Sequence, residues 1–136
     1  FLDITKDYSS TDAGNLANYY AGICYLHTGN FEDAIEHLED FSSKDIILSS
    51  IALGCTGDAY MELGDTDNAK DAYTDAIKNS DNTFTAPRYM KKLAMIYELN
   101  GNYSDALDIY NSIKKDYKDS QEASDIEKYI SRAENK

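Results

Sequence analysis

The chain has 136 residues, enough for one compact domain or one short solenoid and too few for two independent cores. With 42% apolar and 28% charged residues it is too apolar for a disordered chain, and no apolar run approaches the roughly 20 residues that cross a bilayer. A formal charge of −12 repels phosphate backbones and anionic headgroups, which argues against nucleic acid and direct lipid adsorption as partners.

The pattern of apolar and turn residues predicts helices over 12–28, 31–41, 45–63, 66–79, 86–99, 103–116 and 120–134. Ahead of the first, Phe1-Leu2-x-Ile4 is an apolar cluster. Ile4-x-Lys6-Asp7-Tyr8 echoes Ile113-x-Lys115-Asp116-Tyr117, so residues 1–11 are read as the end of a truncated preceding hairpin. Gly29 and Asn30 form the first turn, Gly64 and Asp65 the second, Gly101 and Asn102 the third. Each pairs a glycine suited to a left-handed helix end with a residue suited to cap the next helix. Ser42-Ser43-Lys44 joins the second helix to the third, with Ser43 or Lys44 at its start. Ser80-Asp81-Asn82-Thr83 is the next linker, followed by Thr85 as a cap and Pro87 in the first helical turn, where its missing N–H does no harm. Ala123, Ile126, Tyr129, Ile130 and Ala133 form one stripe on a closing helix.

A repeat underlies these elements. Gly22-x-x-Tyr25-x-x-x-Gly29-x-Phe31-x-x-Ala34 returns as Gly57-x-x-Tyr60-x-x-x-Gly64-x-Thr66-x-x-Ala69 and again as Ala94-x-x-Tyr97-x-x-x-Gly101-x-Tyr103-x-x-Ala106. A large apolar residue follows each alanine by one helical turn: Leu38, Tyr73 and Tyr110. The small residue lets two helices approach, and the tyrosine on the same face is expected to fill the space between them. Each hairpin buries one face internally and offers another to its neighbour, as stacked repeats require.

This small–Tyr–Gly–aromatic–Ala frame resembles the tetratricopeptide repeat (TPR) over about residues 15–118. Asn18, Leu53 and Met90 depart from that family's early large aromatic, and Lys118 stands where its closing proline would be. The resemblance implies an all-α, right-handed superhelical solenoid of three hairpins with flanking partial and capping helices. Its expected divisions are 1–11, repeats at 15–49, 50–86 and 87–118, and a cap at 119–136. The run Asn15-Leu-Ala-Asn-Tyr-Tyr-Ala-Gly22 and the Lys-Asp-Tyr-x-x-Ser join further resemble a membrane-anchored bacterial envelope group similar to the YfgM-like ancillary subunit of the secretion translocon. That likeness implies a chain on the periplasmic side of the inner membrane, tethered by a transmembrane helix preceding Phe1, with a cytoplasmic place the alternative.

Motifs for chemistry are sparse. Two cysteines, Cys24 and Cys55, make neither a disulfide framework nor a four-ligand zinc site, and both read as packed thiols, Cys24 between helices. They could pair only if their Cα atoms lie within about 7 Å. His27 and His37 lack metal-ligand spacing and read as surface or helix-end residues. Asp65-Thr-Asp67-Asn68 begins like a calcium loop, but Lys70 stands where glycine is needed and Ala76 where glutamate is needed. No phosphate loop, nucleophile elbow or zinc-protease motif is present. The expectation is a non-enzymatic chain with no cofactor or metal.

In stacked repeats of this kind the first helix of each hairpin lines the concave face. The family register places Tyr19, Tyr20 and Ile23 there, then Asp58 and Met61, then Arg88, Lys91, Lys92 and Met95, with Leu16, Leu26, Ile51, Gly54, Cys55, Glu62, Glu98 and Leu99 alongside. Tyr19, Tyr20 and Ile23 could equally pack against neighbouring helices, while Arg88, Lys91 and Lys92 are expected to be exposed. Residues 1–86 carry four lysines against 16 acidic residues, whereas 87–136 balance nine bases with nine acids, so the groove has an apolar end and a basic end. Tyrosine and methionine suit adaptable contact, and arginine offers a planar fork to a carboxylate. The expected function is a scaffold holding a protein or peptide in this groove, with secretion or envelope assembly as its expected setting. The alternative is a self-association module joined through Phe1-Leu2-Ile4.

Overall fold

A computed structural model describes residues 12–79 and 83–136. The apolar cluster at Phe1-Leu2-Ile4, the closing segment expected over 1–11 and most of the Ser80–Thr83 linker lie outside the described residues. Seven α-helices follow one another: α1 (Asp12–Thr28), α2 (Phe31–Asp40), α3 (Ile46–Glu62), α4 (Thr66–Asn79), α5 (Ala86–Leu99), α6 (Tyr103–Asp116) and α7 (Ile126–Glu134). Among the described residues there is no strand. Each helix packs on the next in sequence. The pairs α1–α2, α3–α4 and α5–α6 are hairpins, while α2–α3, α4–α5 and α6–α7 join them into a stack.

The three hairpin turns share one geometry. Gly29, Gly64 and Gly101 have φ of 83°, 77° and 79°, the left-handed region that a side chain disfavours. The N–H of the residue after each of these glycines donates to the tyrosine carbonyl of the repeat frame: Asn30 to Tyr25 at 2.9 Å, Asp65 to Tyr60 at 2.9 Å and Asn102 to Tyr97 at 2.8 Å. These bonds satisfy carbonyls that the helix end would otherwise leave unpaired. Of the three following residues only Asp65 caps with its side chain, accepting from the Asn68 N–H at 3.2 Å.

The hairpin interiors differ from expectation in one respect. The side chain that lies over Gly22 and over Gly57 comes from the partner helix, one turn after its alanine, and not from Tyr25 or Tyr60. A Cβ on Gly22 would lie 2.5 Å from Leu38 Cγ, and one on Gly57 would lie 2.6 Å from Tyr73 Cε1. The frame tyrosines are half-buried and make other contacts, Tyr60 and Tyr97 packing beside the cores between hairpins. Tyr25 stacks on His37 with centroids 5.5 Å apart, and the Tyr60 hydroxyl donates to Glu39 at 3.0 Å. Between hairpins, Tyr73, Tyr89, Leu93 and Ile96 close a core on Ala69 and Ala76. At the end of the stack, Ile126, Ile130 and Ala133 of α7 bury against Ala106, Tyr110 and Ile113, as the closing stripe predicts.

Some boundaries moved. The start of α3 is capped by Asp45, whose carboxylate accepts from the Leu48 N–H at 3.0 Å, so Ser43 and Lys44 stay outside the helix. A carboxylate at this place also faces the positive helix end. The closing helix does not begin at residue 120. A single 3₁₀ turn spans Glu122–Asp125 before α7, because Ser120 Oγ accepts from the Ala123 N–H at 3.2 Å and donates to the Tyr117 carbonyl at 2.7 Å. Among the described residues no helix is long and apolar enough to cross a membrane.

Candidate functional site

The first helices of the hairpins, α1, α3 and α5, share one face. A cleft of about 490 Å³ crosses it, lined by Leu26 and His27 of α1, Asp58, Met61 and Glu62 of α3 and Lys92 of α5. The nine residues expected at this face divide into two groups. Tyr20 (47% exposed), Arg88 and Met95 stand out in solvent. Tyr19, Ile23, Asp58, Met61, Lys91 and Lys92 are half-buried. Tyr19 packs its ring against Phe41 at 5.0 Å and Tyr20 at 5.5 Å, and burial, followed by the neighbouring Cys55, raises its phenol above the ordinary value.

The basic end is not a free cluster of cations, and this corrects the expectation for Lys91 and Lys92. Lys92 Nζ lies 2.7 Å from Asp58 Oδ1, linking α5 to α3. The same oxygen accepts from the Tyr73 hydroxyl at 2.5 Å. Lys91 Nζ lies 3.0 Å from Asp125 Oδ1 and 4.2 Å from the centroid of Tyr129. That hydrogen bond from Lys91 holds the Asp125 carboxyl below its usual range. Arg132 of α7 reaches back to Glu98 at 2.7 Å, and Tyr110 donates to the same Glu98 oxygen. Burial alone would raise Glu98, but these two hydrogen bonds outweigh it and hold the carboxyl low. Arg88 is different: among the described residues it faces no carboxylate at ion-pair distance, and its guanidinium lies 5.6 Å from the Phe84 ring.

The three pairs have one spacing. Asp58 with Lys92, Lys91 with Asp125 and Glu98 with Arg132 are each separated by 34 residues. Opposite charges one period apart come into register when repeats stack, and this signal was available in the sequence. It was missed because the repeat was defined by its apolar and glycine positions.

Other positions also moved. Gly54, expected in the groove, is buried, and a Cβ there would lie 2.0 Å from Tyr89 Cζ, so the Tyr89 ring occupies that space. Ile47, one turn before Ile51 on the same face of α3, is 42% exposed and was not foreseen. Leu16 and Leu99 are exposed as well. Cys24 is not packed between helices but exposed, since its place one residue before Tyr25 turns it outward. Cys55 is half-buried, and burial followed by the Asp58 charge pushes its thiol up to about 11. Both are free thiols. His37 is half-buried rather than a surface residue: its Nδ1 lies 2.9 Å from Oδ1 of buried Asn18. Among the described residues no group of three or more His, Cys, Asp or Glu side chains could hold a metal ion.

Among the described residues, the first helices of the hairpins therefore offer exposed apolar side chains, one arginine without a carboxylate at ion-pair distance and a set of charges neutralised within the fold. Two family models, each described as Tetratricopeptide repeat, match the chain, one over residues 16–45 and the other over residues 56–121. No curated protein matches it. Repeats of this family generally mediate protein–protein interactions and are typically non-enzymatic. The repeated glycine turn, the partner-helix side chain over Gly22 and Gly57 and the matches over 16–45 and 56–121 agree: the chain is built of tetratricopeptide repeats.

Proposed function

We propose that the chain is a non-enzymatic scaffold that holds a protein or peptide on the face shared by α1, α3 and α5, in the manner of a concave groove. The observation that carries this reading is the exposure of Leu16, Tyr20, Ile47, Met95 and Leu99 on the first helices of successive hairpins, with Leu99 71% exposed. Apolar side chains repeated along such a face supply contact area that a monomer would otherwise bury. Arg88 adds a planar donor for one carboxylate of the bound segment. Lys91 and Lys92 serve the fold, since each already holds a carboxylate. The partner is accordingly an apolar or aromatic segment bearing a single acid, not a polyacidic one. The likeness of Asn15–Gly22 to the envelope group supports a setting in secretion or envelope assembly, on the periplasmic side of the membrane and tethered by a preceding helix.

The test is capture from native cell extract by three forms of the chain. The first is unaltered, the second carries Tyr20→Ser with Met95→Ser, and the third carries Arg88→Glu. All replaced residues are exposed, so the three should melt alike. A protein retained by the first and lost by the second names the partner and supports the apolar face. Equal capture by all three removes this face from the function. Retention of only a second copy of the chain moves the function to self-association.

A further inference from the structure

A second cleft lies on the opposite side of α3. Helix α2 has ten residues where α4 and α6 have 14, so one wall of the stack stops a turn early. After Asp40 the chain turns to extended backbone at Phe41, with φ −83° and ψ 138°. Asn15 of α1 then pins it, accepting from the Ser42 N–H at 2.9 Å and donating to the Ser42 carbonyl at 2.6 Å. The space left between α2 and α4 is a cleft of about 420 Å³. That volume falls in the range of sites that bind small groups. Its apolar lining comes from Leu38, Phe41, Ala52, Leu53 and Ala72. The residues α3 presents here, Ser49, Ala52, Leu53, Thr56 and Tyr60, lie about half a helical turn from Ile51, Cys55 and Asp58, so the two faces of α3 are independent.

Every ionisable group with a full charge in this lining is a carboxylate: Glu39, Asp71 and Asp75. Among the described residues none of the three meets a cation at ion-pair distance. Carboxylates on a convex surface would be an ordinary solvated face. Here they line a cleft of about 420 Å³ together with apolar side chains. An occupant with a long hydrocarbon stem and a cationic head satisfies both parts, the stem against Leu53 and Ala72 and the head among the carboxylates. We infer that this cleft is a docking site for a lysine or arginine side chain of a partner polypeptide, separate from the face formed by α1, α3 and α5.

The test uses the full chain labelled with ¹⁵N and the probe peptide acetyl-Leu-Lys-Ala-Arg-amide, with acetyl-Leu-Gln-Ala-Gln-amide as its neutral counterpart. The basic peptide should give saturable amide shifts clustered at Ser43, Ser49, Leu53 and Asn68, and the neutral one should not. Asp71→Asn with Asp75→Asn, both exposed positions, should weaken binding about tenfold. Ser49→Phe should abolish it by filling the cleft while every carboxylate remains. Arg88→Glu should leave it unchanged, which separates this site from the proposed groove. Equal binding of the two peptides, non-saturating shifts spread over the acidic surface, or undiminished affinity in the Asp71/Asp75 variant would each overturn the inference.

Discussion

Gly54→Ala is a small substitution for which the sequence and the structure give opposite signs. In an isolated helix it should stabilise, because alanine is favoured over glycine by about 1 kcal/mol in a helix interior. In the stack its Cβ would lie 2.0 Å from Tyr89 Cζ and 2.5 Å from the Tyr89 hydroxyl oxygen. Tyr89 has little room to withdraw: it is 2% exposed and stacks on Tyr73 with ring centroids 6.0 Å apart. Overpacking a close-packed site costs about 1–3 kcal/mol, and losing a buried aromatic outright costs about 3–5 kcal/mol. Partial displacement of the ring falls between these, near 3 kcal/mol, so the net expectation after the helix gain is a loss of about 2 kcal/mol. For a chain of this size that corresponds to a fall of roughly 6 °C in Tm. The assay is urea unfolding followed by circular dichroism, repeated in a Tyr89→Leu background. The shorter leucine removes the ring, so there Gly54→Ala should be neutral or stabilising by up to about 1 kcal/mol. Stabilisation by Gly54→Ala in the unaltered chain would refute the close approach of α5 to α3 at this point.

Two further outcomes follow from the ionisable groups. Glu98 is 11% exposed and held by Arg132 and Tyr110, so its folded carboxyl titrates below its unfolded value. Its contribution is therefore complete above the ordinary carboxylate range and lost as pH falls through the lowered value. The stability difference between the native chain and Glu98→Gln should be present at pH 7 and shrink below about pH 4, whereas a constant difference across that window would contradict the linkage. With its thiol pushed up to about 11, Cys55 is almost wholly protonated at pH 8, and it is half-buried where Cys24 is exposed. Iodoacetamide at pH 8 should label Cys24 at least about tenfold faster, and equal rates would place Cys55 in a more open position than the structure gives it.

Much of the fold was legible because its determinants are local. The turn glycines, the alanine of each second helix and the apolar stripe of α7 act within a few residues, and the helices fall within two residues of their expected ends except at the final segment. Ser120 illustrates why that segment differed. Its side chain competes for backbone groups that a helix would have used, and the winner depends on how Tyr117 and Ala123 are held. The candidate site was less legible. Tyr20, Arg88 and Met95 are exposed, but Gly54 disappeared beneath Tyr89 and Lys91 and Lys92 proved to be bonded within the fold. Helical periodicity tells which side of a helix a residue is on. It does not tell whether a neighbour already covers that side.

The sequence by itself determined the repeat, the hairpin turns and the composition of each helix face, because these follow from φ preferences, side-chain size and the 3.6-residue period. Tertiary structure decided what those faces meet. The charges of Asp58 and Lys92 are 34 residues apart, and only the stacking of successive hairpins brings them to 2.7 Å. Likewise the cleft beside Leu53 is bounded where α2 ends a turn early and Asn15 holds Ser42 to α1, an outcome set by two segments 27 residues apart. Short-range preferences build the hairpins, while the contacts between hairpins determine which side chains remain available to another molecule.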